Sequence, residues 1–318
     1  MTQRFDYVTV GHVTCDAIEG PTGGSVSQPG GGTFYSALQA ARLGLRTLIV
    51  TQGAPDEIET LLAPYLGELT LRVIAAARTT TLATRGTGVD RSQRVLAWAG
   101  AIEEPLELDT AILHFAPVAR ETPASFAGHA GFVGVTPQGL IRAWETPGEV
   151  PLVQLDSSAL IDGVPTAPLV ASAVPGELSA GELDPALLPR AFDAAVISEQ
   201  ECAHCHPLFA AARRHGACVA VTAGGRPTTV HLGGAGSGPR VLQTAAPPLA
   251  TVRDDLGAGD VFAAAFFVTL TEGRDAPEAA AFANAAAAFR IAGVGAEAIG
   301  SRVEIEALAR DGEPRAER

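Results

Sequence analysis

The chain has 318 residues, 47% of them hydrophobic and 18% charged, so it carries ample core material and is neither disordered nor fibrous. A formal net charge of −13 removes the basic footprint of a nucleic-acid binder and would be repelled by an anionic membrane surface. All 22 basic residues are Arg, which excludes the phosphate-loop lysine, the protein-kinase strand lysine and Schiff-base chemistry.

The start, Met1–Asp6, is polar and lacks the charged-then-apolar order of a secretory signal. No apolar stretch approaches the ~20 residues that span a bilayer, so the cytoplasm is the expected compartment. Phe5–Gly11 is a β-branched run ending in Gly and reads as a buried strand. Pro29-Gly30-Gly31-Gly32 opens a helix over Thr33–Leu43, with Gly44 as its stop, and Thr47–Thr51 is the next strand. Strand, loop, helix and strand in that order predict a parallel sheet.

Thr79–Ala101 alternates polar and apolar residues around a Gly-rich turn and carries Arg85, Arg91, Gln93 and Arg94. It reads as an antiparallel ribbon with one wet face. Ala111–Phe115, Gly131–Val135, Ala194–Ser198 and Ala217–Thr222 are short apolar strands spaced by helical segments, which extends the α/β pattern. Residues 155–184 are rich in Pro, Ser, Ala and Gly without periodicity and read as an insertion or lid. Gly233–Gly238 is a turn between two strands. Val261–Leu270 is apolar on every side and predicts a helix in the middle of the protein; Ala276–Ile291 is a second Ala-rich helix, and 311–318 is a charged, frayed tail.

The segment with the most chemistry is Asp254-Asp255-Leu256-Gly257-Ala258-Gly259-Asp260, which runs straight into that apolar helix. Gly257 and Gly259 let the backbone turn and approach a ligand. The amides from Gly257 to Asp260 would point out of a helix N-terminus, a position that favours a transferring phosphoryl group. Asp260 at the helix start can accept a hydroxyl proton while those amides neutralise phosphoryl oxygens. An N-capping Asp on a Gly-rich turn is the plain alternative. Other patterns carry less. Cys202-Ala203-His204-Cys205-His206 fits a haem-attachment or zinc spelling, with small thiols on one helix face as the ordinary alternative. Gly293–Ala298 imitates a dinucleotide fingerprint but follows a helix. His12, His114 and His231 are scattered and read as structural histidines.

On Asp254–Asp260, with Gly31-Gly32 opening a helix that ends in Leu43-Gly44, the chain resembles the PfkB/ribokinase family of carbohydrate kinases. That family's C-terminal signature is D-T-x-G-A-G-D, and Asp255 stands here in place of Thr. The resemblance implies a ribokinase-like three-layer α/β/α sandwich over 1–310, with a mostly parallel sheet and a small β-lid from about 12–30 and 79–101. It implies Asp260 as general base and Gly257, Ala258 and Gly259 as anion hole. Asp16, Gly31, Gly32 and Ser36 would face the substrate, Ser36 standing where an Asn is usual. Thr222, Gly224 and Asn284 would face the nucleotide, with Pro227 replacing a Gly of the T-x-G-x-x-G pattern. Glu201, in Ser198-Glu199-Gln200-Glu201, would organise the Mg²⁺–phosphate shell, and Asp254 would help hold a monovalent cation such as K⁺.

The implied reaction uses ATP and Mg²⁺ to phosphorylate a hydroxyl of a sugar or cyclitol. The lid implies a homodimer. Phe132–Trp144 resembles the myo-inositol kinase-like branch and brings in Gln138 and Arg142 as substrate or phosphate contacts. A nucleoside kinase and a non-catalytic sugar- or nucleotide-binding protein of the same fold remain as alternatives.

Overall fold

Strand β1 (Phe5–Val10) passes from half-buried to fully buried along its length, as a strand covered on both faces must. It pairs in parallel with β4 (Thr47–Gly53) on one side and β8 (Glu107–Phe115) on the other. The computed structural model describes residues 4–19, 25–86, 91–144, 160–161, 164–165, 178–233, 240–247 and 251–311. Outward from β4 lies β5 (Leu69–Ala75), and outward from β8 lie β9 (Ala127–Val135), β14 (Ala194–Ser198) and β15 (Cys218–Ala223), all parallel. The antiparallel strands β16 (Arg226–Leu232) and β17 (Arg240–Thr244) finish the sheet, whose order is β17-β16-β15-β14-β9-β8-β1-β4-β5.

Helices cover both faces. On one lie α1 (Gly32–Arg42), α2 (Pro55–Leu62), α5 (Ala258–Thr271), α6 (Ala276–Ile291) and α7 (Arg302–Asp311); on the other lies α4 (His206–His215). Alternate sheet residues divide between the two cores: Val196 faces α5, whereas Ala195 and Ile197 face α4. This is the ribokinase-like three-layer sandwich. Helix α5 is buried from Val261 to Thr269 because it lies between the sheet and two further helices, α1 and α6. Among the described residues no helix is long and apolar enough to cross a membrane.

A second sheet stands apart, ordered β3-β2-β6-β7 from β2 (Thr14–Glu19), β3 (Ser25–Gly30), β6 (Thr80–Arg85) and β7 (Ser92–Ala97). Strands β2 and β6 are parallel and the outer pairs antiparallel. The wet face expected for this ribbon is found only on β7. Strand β6 is buried for five of its six residues because its partner strands and the body of the protein cover it.

Other expectations change. The strands expected at 111–115 and 131–135 each begin four residues earlier, at Glu107 and Ala127; the first half of β8 alternates in exposure and that of β9 is mostly exposed, so both lack the continuous apolar run. Most of the stretch expected as an insertion at 155–184 lies outside the described residues, as do 234–238 of the expected Gly233–Gly238 turn and 312–318 of the tail. Within that stretch β11 (Leu160–Ile161) and β12 (Val164–Pro165) pair antiparallel. Its end is part of the body: β13 (Ser179–Ala180) pairs with β10 (Arg142–Ala143), which follows the short helix α3 (Gln138–Ile141). Cys202, Cys205 and His206 do not share one α-helix. A 3₁₀ segment, Glu199–His204, ends at Cys205 before α4 begins, which leaves Cys205 fully buried.

Candidate active site

The parallel strands end at a cavity of about 470 Å³, where an open α/β sheet presents its ligand crevice. Its floor is the start of α5, its wall the ends of β9, β14 and β15, and its roof the small sheet. Asp16, Gly31, Gly32, Glu201, Thr222, Gly257, Ala258, Gly259 and Asp260 all line it, although the chain order separates them by up to 244 positions. Ser36, Gly224, Asn284 and Asp254 do not line it.

The two Gly-rich segments are explained by contact with carboxylates. A Cβ on Gly32 would come within 2.7 Å of Asp260 Oδ1, and one on Gly30 would collide with the Asp16 carboxylate. The loop is therefore bare so that both acids can stand against backbone. Asp16 is almost fully buried, and its Oδ1 accepts the Thr14 hydroxyl at 2.7 Å. Burial pushes its pKa up to about 6, against the opposing pull of that hydroxyl and of Arg142 and Arg91. Asp260 stands at the cavity floor, where burial raises its pKa to about 7; Arg142 opposes the rise, and Glu201 and Asp16 add to it.

Helix α5 begins at Gly257, whose φ of 75° is left-handed and whose α-hydrogen faces the Tyr35 ring, with no room for a side chain. The Ala258 N–H bends back to the Asp255 carbonyl at 3.3 Å. Among the described residues no acceptor meets the main-chain N–H of Gly257, Gly259 or Asp260. The open donors are thus these three, and Ala258, expected among them, is already engaged. Replacing Gly257 with Ala is expected to cost at least ~2 kcal/mol of stability and to lower kcat, because the methyl group must push the loop off Tyr35. Urea denaturation and steady-state kinetics on the variant check both effects.

Ser198 caps the 3₁₀ segment in a reciprocal box with Glu201, whose Oε2 accepts the Ser198 N–H at 2.8 Å. Ser is as good a cap as Asn, so the departure at Ser198 leaves Glu201 held in place. Ser36, expected to face substrate, instead donates its hydroxyl to the Asp260 carbonyl at 3.2 Å and braces the start of α5. Gly224 sits in the turn between β15 and β16, exposed, while Thr222 stays on the cavity wall. Asn284 is spent inside the fold: it accepts the Thr228 hydroxyl at 2.7 Å and donates to the Thr244 and Ala245 carbonyls at 3.4 and 3.1 Å.

Asp254 anchors the loop from below. Its Oδ2 accepts Arg290 at 2.7 Å and the Gly295 N–H at 2.9 Å, and its Oδ1 accepts the Leu256 N–H at 3.0 Å. Burial pushes its pKa up, but Arg290 and the two amides outweigh burial and hold it below the usual carboxylate range. The Arg290 side chain is fully buried and its guanidinium lies 5.5 Å from the centre of the Tyr35 ring. The cation beside Asp254 is therefore a guanidinium, where the sequence had suggested a monovalent ion.

Other site residues were named only through the resemblance, as Arg142 was, or not at all. Arg142 lies deep in the cavity, donating to the Val118 carbonyl at 2.9 Å and to Gln93 Oε1 at 2.7 Å, and it faces Asp16, Glu201, Asp260 and Glu121. Glu121 is buried and accepts the N–H groups of His12, Val118 and Ala119 at 2.6–2.8 Å, which shapes the loop behind Arg142. An isolated Glu in an Arg-Glu-Thr-Pro stretch has no pattern by which to find it. His114 bridges Tyr7 and Thr136 at 2.8 and 3.1 Å and is held neutral by burial, which lowers its pKa to about 3. Among the described residues no three His, Cys, Asp or Glu side chains converge to hold a metal ion, Cys202, Cys205 and His206 included.

Residues 193–301, which include Glu201, Thr222 and the whole Asp254–Asp260 loop, match the family model described as pfkB family carbohydrate kinase. That match spans about a third of the chain. No curated protein matches it in sequence. Its fold is shared with a pyrophosphate-dependent kinase of the ribokinase family complexed with a pyrophosphate analogue and myo-inositol, at 17% identity and a TM-score of 0.67, covering 95% of this chain and 99% of the other. It is shared with Arabidopsis thaliana ribokinase complexed with ribose and ATP, at 18% identity, a TM-score of 0.65 and coverage of 97% and 99%. The Methanocaldococcus jannaschii nucleoside kinase also shares it, at 14% identity, a TM-score of 0.62 and coverage of 96% and 98%. The match over residues 193–301 and the shared fold support a carbohydrate kinase in general class, a phosphotransferase acting on hydroxyl groups.

Proposed function

We propose that this kinase transfers the γ-phosphoryl group of ATP to a hydroxyl of a neutral polyol, a sugar or cyclitol. The observation that carries the reading is one loop that sets a carboxylate of raised pKa beside three main-chain N–H groups without acceptors. Asp260 accepts the proton of the attacking hydroxyl; the Gly257, Gly259 and Asp260 amides donate to the phosphoryl oxygens as charge moves onto them. Asp16, Gln93, Gln138 and Thr136 supply the polar side chains that suit a polyol.

The charge of the cavity supports both the ion and the acceptor. Asp16, Glu201, Asp255 and Asp260 line it against Arg91 and Arg142. Carboxylates in that excess favour a divalent cation, held by one or two of them together with phosphate oxygens and water. Mg²⁺, when bound, would neutralise phosphate charge, with Glu201 and Asp260 the groups placed to reach its shell. Asp254 already has Arg290, so the reading gives K⁺ no site there. Arg91 and Arg142 both already pair with protein acceptors, which favours a neutral acceptor group over an anionic one.

The small sheet serves as the lid over the acceptor, and its open edge at β3, with Val26 exposed, supports pairing of two copies through it. A second donor is favoured by one observation. Asn284, the residue expected at the adenine, is turned into the fold, and pyrophosphate needs no base contact.

The test is product formation from Mg²⁺ with ATP or pyrophosphate against a panel of sugars, cyclitols, nucleosides and sugar phosphates. Turnover of a neutral sugar or cyclitol with ATP is the expected result. Turnover with pyrophosphate alone replaces the donor, turnover of nucleosides alone replaces the acceptor class, and binding without turnover across the panel overturns the kinase reading.

A further inference from the structure

Arg91 precedes β7 on the small sheet and forms an ion pair with Asp255 on the loop that carries the open amides. Both side chains line the cavity. Asp255 stands two residues before Gly257, at the position where the family signature has an uncharged Thr. An acid there places a negative charge beside the point where a polyphosphate must enter, and like charges in a half-buried site repel strongly. The chain has no Lys with which to cancel it. Arg91 pairs with it from across the cavity, and its Nε is buried without an acceptor among the described residues, so the guanidinium retains a donor.

The roof is tied down at neighbouring points by Gln93, whose Oε1 accepts Arg142 at 2.7 Å and whose carbonyl accepts the Leu178 N–H at 2.8 Å. Leu82 and Val95 of the small sheet also pack on Val118, Ala119, Trp98 and Trp144. Docking of the sheet therefore does not depend on the Arg91–Asp255 pair alone. What this pair adds is charge at the mouth of the anion hole.

We propose that Arg91 is a positioning residue for the phosphoryl donor, acting through Asp255: it masks the Asp255 charge so that the open amides of Gly257, Gly259 and Asp260 can receive a polyphosphate. This rests on the kinase reading for its purpose but not for its test. The probe is inorganic pyrophosphate with Mg²⁺, its binding followed by calorimetry on the full chain, which needs no turnover.

Arg91→Ala is expected to weaken pyrophosphate about 10- to 100-fold, because Asp255 then loses that guanidinium. Adding Asp255→Asn to Arg91→Ala is expected to recover most of the loss, a rescue that a purely structural tether would not show. Where acceptor turnover is measurable, the same pattern appears in the donor KM more than in kcat. Wild-type affinity in Arg91→Ala overturns the proposal, and so does a double variant no tighter than Arg91→Ala alone. The emission of Trp98 and Trp144, the chain's two Trp residues, whose rings lie 5.8 Å apart across the seam, reports whether the sheet stays docked in each variant. A shift in that emission in Arg91→Ala which Asp255→Asn does not reverse assigns the residue to docking and also overturns the proposal.

Discussion

Asp260→Asn is expected to lower kcat by about 10²- to 10⁴-fold with little change in the donor KM, because it removes the proton acceptor and keeps the shape of the anion hole. The same residue sets the pH profile. Burial first, then Glu201 and Asp16, raise its pKa to about 7 in the free enzyme, with Arg142 opposing. As a base it acts ionised, so kcat/KM should fall as pH drops below about 7, by roughly tenfold per unit. A variant that turns over at nearly the wild-type rate, or a profile flat from pH 5 to 8, would remove Asp260 from this role.

The stability of the ligand-free protein should move the other way. A folded-state pKa raised above the ordinary 3.8 means that the protonated carboxyl is the one the fold prefers. Its stabilising contribution is complete below the unfolded value and is lost as pH rises through about 7. Asp16, raised to about 6, has the same sign. Asp260→Asn cannot ionise, so it should melt above the wild type at pH 8 and level with it at pH 4. Thermal unfolding at the two pH values checks this, and a gain in stability bought with lost catalysis is what a strained functional carboxylate should give.

Arg290→Met is expected to destabilise the protein by about 3–5 kcal/mol, because it leaves Asp254 partly buried without its cation. The guanidinium is fully buried, donates to the Asp254 carboxylate at 2.7 Å and to its carbonyl at 3.3 Å, and lies against Tyr35, which in turn packs on Gly257. Breaking the pair should loosen the loop that carries the anion hole as well as lower stability. The double variant Arg290→Met with Asp254→Asn should recover part of the loss, since no charge is then stranded. Urea denaturation of the two variants measures it, and a loss below about 1 kcal/mol in the single variant would mean that the pair contributes no more than a surface bridge. Activity of the wild type should also be indifferent to exchange of K⁺ for Na⁺, since the guanidinium already neutralises Asp254.

Much of the fold was legible because the signals are local. Gly31-Gly32 must face the cavity bare, and the Asp254–Asp260 loop must turn into an apolar helix, so both leave a readable spelling. The parallel strands at 194–198 and 218–223 are short apolar runs because helices cover both their faces. Strand β5 was missed because it lies at the sheet edge and is only partly buried, which breaks the apolar run. Ser36 and Asn284 were assigned by analogy of position, and their side chains settle on the Asp260 carbonyl and on Thr228 instead.

The chain by itself determined the α/β class, the kinase resemblance and the carboxylate at the head of α5. A turn, a helix start and a buried strand are each set by the steric and solvation demands of a few consecutive residues. Only the tertiary structure decided that Arg142 stands among four carboxylates, that Arg290 is the cation beneath Asp254, and that Arg91 reaches Asp255 from the other sheet. The two ion pairs join residues 36 and 164 positions apart, and an ion pair at such separation leaves no periodicity in sequence. It exists only where packing of the sheets and helices brings the two charges out of water together.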